Sequence, residues 1–368
     1  MAEKKPVFMR SKKIMITAPS LNVNENVSGV SSLVTDIINN SKFSFVHLQL
    51  GSKDAFKKKN LSWIFGQINA YLRLLWITIF TRYEIVHLNI GLEKLSILRD
   101  SVVFFIVNKI FGKKVILHIH GGFYLMNDPG KGLIGFLLRK ILRKAKVIIV
   151  LSDLEKDILT KRYGVLPIQV FQNAVDTDSI LKADNRTVHS KIKFIYVGRI
   201  VKMKGIYTIS DSLQYLTKYF DRFSLDIYGA GAELNDWMVS LDKYAGFEYH
   251  YKGVVTGNDK WAALHAADVL LLPSLHSEGM PIAMIEAMAA GCAVIVTDVA
   301  SVKVVIRDNV NGMLLSESSP ELLALKIEEI ILGKVNVKSM GENAKQYVLK
   351  NLSLTQYIDK LEHLYASV

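Results

Sequence analysis

Two carboxylates, Glu278 and Glu286, stand with seven residues between them in the stretch HSEGMPIAMIEAMAAG. Such a pair could act as acid and base, share a metal ion, or hold two parts of one ligand. Pro281 suits the first turn of a helix, where its missing N–H costs nothing, and Gly291 suits the position just past the end. Glu278 then sits in the turn before the helix and Glu286 about a turn and a half inside it. Even if both were helical, eight positions correspond to about 12 Å of rise. That is too far to share one metal ion, and wide for a glycosidase pair, whose carboxyls lie about 5–9.5 Å apart. An extended ligand gripped at two points fits better. The free N–H groups of Gly279 and Met280, near the helix start, suit an anion such as phosphate. Glu286 is flanked by Met284, Ile285, Ala287 and Met288, and a lone Glu in an apolar helix needs a partner.

Other residues could complete such a site. In YVGRIVKMKG, Gly198, Arg199 and Lys204 follow the expected end of a strand at Val197. Cations on that edge suit a diphosphate, although two solvated surface cations would look the same. In LDIYGAGAEL, Gly229 and Gly231 follow another strand, where glycine lets a backbone approach closely. A third glycine of the dinucleotide fingerprint is missing, because Leu234 stands there. Gly253 and Val254 follow a short strand, where backbone groups could meet a base. In ILHIHGGF, strand alternation puts His118 and His120 on one face, with His120 at the strand end before two glycines. Gly29, before a helix start in NVSGVSSLV, is a further close-approach position for an anion. His87 and Asn89 close the strand EIVHLN and carry little signal alone. Asp176 and Asp178 mimic a metal-binding DxD, but they fall in a polar join rather than after a strand, and they read as a turn. No Cys/His cluster has zinc-like spacing, and no metal is expected.

The elements that must position these residues alternate. Strand-like runs are expected at 13–18, 45–50, 85–89, 115–120 and 147–151, with helices at 29–39, 62–80, 95–111, 132–145 and 153–163. The strands are apolar on both faces, as in a parallel sheet covered by helices. The second half repeats the style. Strands are expected at 193–197, 224–228, 249–251, 269–272 and 293–297, and helices at 205–219, 233–245, 259–266, 282–290 and 320–332. Two runs of βαβ units predict an α/β protein of two Rossmann-like, doubly wound domains, joined near 173–191. Ligands of such sheets bind beyond the carboxyl ends of the strands, which places the site in the cleft between domains.

With 368 residues, half of them hydrophobic, the chain can bury two cores. Its single cysteine, Cys292, excludes an internal disulfide framework and fits a reducing compartment. The opening MAEKKPVFMRSKK is polar and basic, and the apolar runs at 74–80 and 102–107 fall short of the roughly 18–20 residues that span a bilayer. A cytoplasmic location is therefore expected, soluble or peripheral on the inner face of the cell membrane. The net charge of +12 is uneven. Residues 1–175 carry 26 Lys and Arg against 11 Asp and Glu, a balance of +15, and residues 176–368 carry 20 against 23, a balance of −3. A basic first half calls for an anionic partner. Within it, Lys57, Lys58 and Lys59 precede an aromatic-rich helix, and they could meet lipid phosphates while Trp63 and Phe65 insert. An ordinary core helix after a basic loop is the competing reading. A nucleic-acid partner would leave Glu278 and Glu286 unexplained, and no matching motif is present.

The runs E-G-x-P-x-x-x-x-E-A-M-A-x-G, G-R-x-x-x-x-K-G and I-x-G-x-G occur together in this chain. In this combination it resembles the retaining glycosyltransferases of the GT-B fold, family 4 (glycosyl transferases group 1), most strongly over 193–315. The resemblance implies two Rossmann-like domains facing across a cleft: 1–175 binding the acceptor, 176–352 binding a nucleotide-sugar, and a last helix within 353–368 crossing back to the first domain. It implies a UDP-, GDP- or ADP-sugar donor and no cofactor. Arg199 and Lys204 would hold the diphosphate, Glu278 the sugar hydroxyls and Glu286 the ribose. Gly279 and Met280 would offer N–H groups, Gly253 and Val254 would lie by the base, and Gly29 by the phosphates. His120 would sit near the donor sugar and the reaction centre, and Ser152 and Asn173 match smaller landmarks.

Two positions depart from the pattern. Ser28-Gly29 replaces the usual glycine pair, and Cys292 precedes Ala293 where proline is common. Neither removes a charge. No carboxylate is placed as an obvious nucleophile, so front-face attack within an ion pair, with retained configuration, is expected. The acceptor expected from the basic, aromatic first half is a lipid-linked or phosphorylated glycan of cell-surface polysaccharide or lipopolysaccharide synthesis. A non-catalytic nucleotide-sugar binder, or an epimerase on the same fold, is the alternative.

Overall fold

The computed structural model describes residues 12–23, 25–26, 28–51, 61–182, 190–275, 279–299 and 301–368. Among these, two six-stranded parallel sheets form the frame. The first contains β1 (Lys13–Ala18), β2 (Ser44–Gln49), β3 (Ile85–Ile90), β4 (Lys114–Ile119), β5 (Val147–Val150) and β6 (Ile168–Val170), in the order β2-β1-β3-β4-β5-β6. The second contains β7 (Ile192–Val197), β8 (Phe223–Tyr228), β9 (Tyr249–Tyr251), β10 (Val269–Leu272), β11 (Ala293–Thr297) and β12 (Met313–Leu315), in the order β12-β11-β10-β7-β8-β9. Strand order reverses between β1 and β3 in one sheet and between β7 and β10 in the other. A doubly wound sheet opens a crevice at the carboxyl ends of such strands.

Alternation along the strands sends neighbouring residues into different cores. On one face of the first sheet, Val86, Leu88, Leu117 and Ile148 pack against the helices Leu61–Phe80, Lys94–Phe105 and Leu133–Lys144. On the other, Ile14, Ile16, Ile85, Ile116 and Ile149 pack against Gly29–Asn40 and the last helix, Leu354–Ser367. That last helix buries Tyr357, Leu361 and Tyr365 on the first sheet although it follows the second in sequence. The chain thus crosses between the sheets twice, and the crossings pair. Val175 N donates to Leu352 O at 3.1 Å, and Leu354 N donates to Val175 O at 2.9 Å.

Several elements differ from expectation. Residues 95–111 form the helix Lys94–Phe105 followed by a π-helical turn, Ile106–Ile110. Residues 205–219 form a short helix, Ile206–Ser212, and two 3₁₀ turns. The buried positions Leu213, Leu216 and Phe220 are spaced by three and four, so the apolar pattern alone reads as α-helix. The hydroxyls of Ser210 and Ser212 bond back to the carbonyls of Tyr207 and Ile209, which competes with the α-helical ladder. Strands β6 and β12, of three residues each, and the helix Val337–Asn351 are not among the elements expected from sequence.

The three helices on the outer face of the first sheet have an unusual surface. Ile68, Leu72, Trp76, Ile79 and Phe80 form an exposed stripe on Leu61–Phe80, continued by Val102, Ile110, Leu133 and Phe136. Arg73, Lys109, Arg143 and Lys144 stand exposed among them. The only acid in residues 61–80, 94–110 and 133–144 is Asp100, which is fully buried and paired to Arg99 at 2.6 Å. The side chains of Trp63 and Phe65, and Lys57, Lys58 and Lys59, lie outside the described residues. Among the described residues, no helix is long and apolar enough to cross a membrane.

Candidate active site

The carboxyl ends of β7, β8 and β9 are laced together by backbone. Gly198 N donates to Tyr228 O, Ile200 N to Ala230 O and Gly229 N to Gly253 O, at 2.8–3.0 Å. Such close lacing leaves no room for side chains. A Cβ on Gly229 would overlap the Gly198 carbonyl oxygen, and one on Gly231 the Ile200 carbonyl oxygen. Gly205 has φ +74, and its Cβ would overlap the Pro273 carbonyl oxygen after β10. These glycines let backbone approach backbone, where the sequence suggested approach to a ligand. Glu233 further ties the loops by accepting from Lys202 N. The result is a fixed platform at the switch point. Arg199 projects from it into solvent, Lys204 is half-buried, and Gly253 (φ +74) and exposed Val254 lie at its rim.

The loop after β10 meets this platform, with Leu275 N donating to Met203 O at 3.0 Å. Glu278 lies outside the described residues. Gly279 and buried Met280 lead into the helix Ile282–Ala289, whose N-cap is Pro281 rather than its first residue. Gly279 also touches the other half of the molecule. A Cβ there would overlap Leu151 and stand 3.2 Å from the His120 carbonyl. Asn173 donates to Met280 O at 2.7 Å. A Cβ on Gly29, at the start of Gly29–Asn40, would stand 3.0 Å from Ile282 Cγ1. The structure thus brings His120 and Gly29 of the first half to Gly279, Met280 and Ile282 of the second. Ser152 joins the halves elsewhere. Its hydroxyl lies 2.7 Å from that of Ser301, which donates to Glu155 at 2.6 Å, all three fully buried.

Glu286 is 6% exposed and has the partner its setting demands. Lys260 Nζ is 2.5 Å from Glu286 Oε1 and also lies 4.7 Å over the Trp261 ring. The burial of Glu286 therefore does not by itself point to a ligand. Asp36, on the first-half helix Gly29–Asn40, feels this pair. Burial, and then the nearby Glu286 carboxylate, raise its pKa to about 6, while Lys260 opposes the shift.

His120 caps β4 in a buried polar group. Its Nε2 is 2.6 Å from Asn89 Oδ1, and its ring lies 4.0 Å from that of His118, tilted by 36°. His118 Nδ1 is 3.1 Å from His87 Nε2, and His87 Nδ1 is 2.6 Å from the Tyr365 hydroxyl. Burial lowers the His120 pKa to about 4, that of His87 to about 3, and that of His118 well below its usual value. All three are neutral near pH 7. Asp176 accepts from Asp178 N and Ser179 N at 3.1 Å, capping the helix Thr177–Lys182, as the turn reading expects.

Residues 47–179 match the family described as Glycosyltransferase Family 4, and residues 178–347 the family described as Glycosyl transferases group 1. The chain is a GT-B glycosyltransferase. The Escherichia coli protein named UDP-Gal:alpha-D-GlcNAc-diphosphoundecaprenol alpha-1,3-galactosyltransferase is 23% identical over 300 residues, 77% of this chain and 75% of that one. Sucrose-phosphate synthase from Thermosynechococcus elongatus superposes at a TM-score of 0.77 and 16% identity, over 97% of this chain and 98% of that one. The Anabaena protein HepE in complex with UDP and glucose superposes at a TM-score of 0.73 and 15% identity, over 97% and 100%. The two structural likenesses show a shared fold.

Some residues of this GT-B glycosyltransferase that matter to the cleft carry little or no sequence signal. Lys260 lies in an ordinary helix, 26 residues before the glutamate it pairs with. Asn89 and Tyr365 reach the His120 group only through the sheet pairing and the returning helix. From sequence, Asn89 stands out only as closing the strand EIVHLN, with little signal alone.

Proposed function

We propose that this glycosyltransferase takes a sugar from a UDP-, GDP- or ADP-sugar and passes it, with retained configuration, to a lipid-linked or phosphorylated glycan at an anionic membrane surface. The observation that carries the donor reading is the docking of the loop after β10 on the Arg199–Lys204 loop, with Leu275 N donating to Met203 O at 3.0 Å and the Pro273 carbonyl against Gly205, a few residues before Gly279 and Met280. Arg199 and Lys204 hold the diphosphate and stabilise the charge that grows as the sugar–oxygen bond breaks. Gly279 and Met280 N–H groups support the phosphates and Glu278 binds sugar hydroxyls. Glu286 exchanges part of its contact with Lys260 for the ribose, and Gly253 and Val254 border the base. With cations on the leaving group and no positioned nucleophile, the acceptor hydroxyl attacks from the face the diphosphate leaves. No cofactor enters this scheme. The likeness to a UDP-and-glucose complex and to a diphosphoundecaprenol-directed transferase supports it.

The acceptor side rests on the apolar and basic layer of the three outer helices, whose one acid, Asp100, is buried. Apolar side chains enter the interface there while Lys and Arg meet lipid phosphates, at about 1 kcal/mol per cation. Flotation with vesicles containing phosphatidylglycerol tests it. The protein is expected to float with them at low salt and to lose most of that binding as Leu72→Ser/Trp76→Ser. Failure of the wild type to float refutes the membrane part. For the donor part, NMR of slow donor hydrolysis should show the retained anomer first, and the inverted anomer would refute retention.

A further inference from the structure

The hydrogen bonds around His120 fix one another through donor and acceptor chemistry alone. Asn89, on β3, is 7% exposed. Its Nδ2 donates to the Thr17 carbonyl at 2.7 Å, and its backbone N–H donates to the Thr17 hydroxyl at 3.0 Å. A carbonyl only accepts, so the amide atom facing Thr17 O is the NH₂ and the atom facing His120 is the oxygen. That oxygen also only accepts, so His120 Nε2, 2.6 Å away, must carry a hydrogen. In a neutral ring the lone pair then sits on Nδ1. The His118 ring, 4.0 Å from that of His120, sets the plane. The His118 ring is tied in turn to β3 and to the last helix, since its Nδ1 shares a hydrogen with His87 Nε2 and His87 Nδ1 shares one with the Tyr365 hydroxyl.

We propose that Asn89 is a positioning residue for glycosyl transfer, holding His120 in the Nε2–H tautomer so that Nδ1 is the ring's acceptor for a hydroxyl of the bound sugar. This rests on the placement of His120 at the reaction centre, where its carbonyl meets Gly279. The depressed His120 pKa agrees, since a neutral ring is needed for Nδ1 to accept. The groups facing the ring are His118 on its own strand and Asn89 on β3; among the described residues no carboxylate bonds to it.

The tautomer can be read without substrate. In protein labelled with ¹⁵N-histidine, the difference between wild type and His120→Gln isolates the His120 resonances. A protonated Nε2 and a lone-pair Nδ1 at pH 7 are expected, and the reverse pattern or an average of the two overturns the proposal. Function is read by Asn89→Asp, which places a carboxylate against Nε2–H. The acid limb of kcat for donor hydrolysis should move up by about one to three pH units. Asn89→Leu should lower kcat by about tenfold, part of what a positioned acid–base group contributes. A folded Asn89→Asp variant with the wild-type acid limb refutes the positioning role, because a purely structural asparagine would change stability alone. If Asn89→Asp does not fold, the wild-type spectrum still decides. Failure to bind any nucleotide-sugar would sink the donor reading and leave the spectrum untouched.

Discussion

The two crevices of this molecule are built from different materials. At the ends of β7, β8 and β10 the surfaces are backbone on backbone, and Gly205, Gly229 and Gly231 are required because a Cβ on any of the three would strike a carbonyl. At the ends of β1, β3 and β4 they are side chain on side chain, with Thr17, Asn89, His118 and His120 fixing one another across strands. In the function proposed above, the backbone platform fixes Arg199 and Lys204 against a ligand part that every donor shares. A side-chain group can be re-cut position by position, which suits recognition of whatever a particular enzyme must accept.

That contrast can be broken by substitution. The largest effect is expected at Gly205. Gly205→Ala adds both a left-handed non-glycine residue and a clash with Pro273, and should destabilise by about 4 kcal/mol in denaturant unfolding. Gly253→Ala, with φ +74 but open space, should cost only about 1 kcal/mol. Equal effects would mean that packing at the platform is looser than described. Next, Lys260→Met strands buried Glu286 without its cation and should cost about 3 kcal/mol, largely recovered by adding Glu286→Gln. A single variant as stable as wild type would show that the pair is not what holds Glu286. Arg199→Ala, at an exposed residue, should leave the melting temperature alone and lower kcat about 100-fold. Unchanged turnover would remove it from the site.

The smallest effect links the two halves. The folded chain holds the Asp36 proton more tightly than the unfolded chain, so ionising it opposes folding. Its contribution to stability is full below about pH 4 and is lost as pH rises to about 6. Asp36→Asn should therefore stabilise by about 1 kcal/mol at pH 7, after allowance for partial exposure, and by nothing at pH 3.5. Equal shifts at both pH values would show that burial and Glu286 do not raise the Asp36 pKa in the folded chain.

The same contrast explains what the sequence revealed. Glycine spacing and strand-end cations are local in the chain, so Gly198, Arg199, Gly205, Gly229 and Gly231 are legible, although the glycines serve lacing before they serve any ligand. The parallel sheets were legible because buried strands read as continuous apolar runs. Asn89 carries only the weak signal of closing a strand and Tyr365 carries none, because their partners lie 31 and 278 residues away. The partner that burial demanded for Glu286 was correctly required, but the sequence did not say that Lys260 would supply it. Helix Val337–Asn351 buries Met340, Ala344 and Val348 at helical spacing and packs Gly341 against the Gly291 carbonyl, but most of its other residues are polar and dilute that stripe in the sequence.

The central claim is that this cleft binds a nucleotide-sugar between the Arg199–Lys204 loop and Glu286. Thermal unfolding of wild type, Arg199→Ala and Glu286→Ala with UDP-, GDP- and ADP-sugars tests it most directly. One nucleotide class should raise the wild-type melting temperature by several degrees, with the shift weakened in both variants. No shift with any donor, or the full shift retained in both variants, would contradict it.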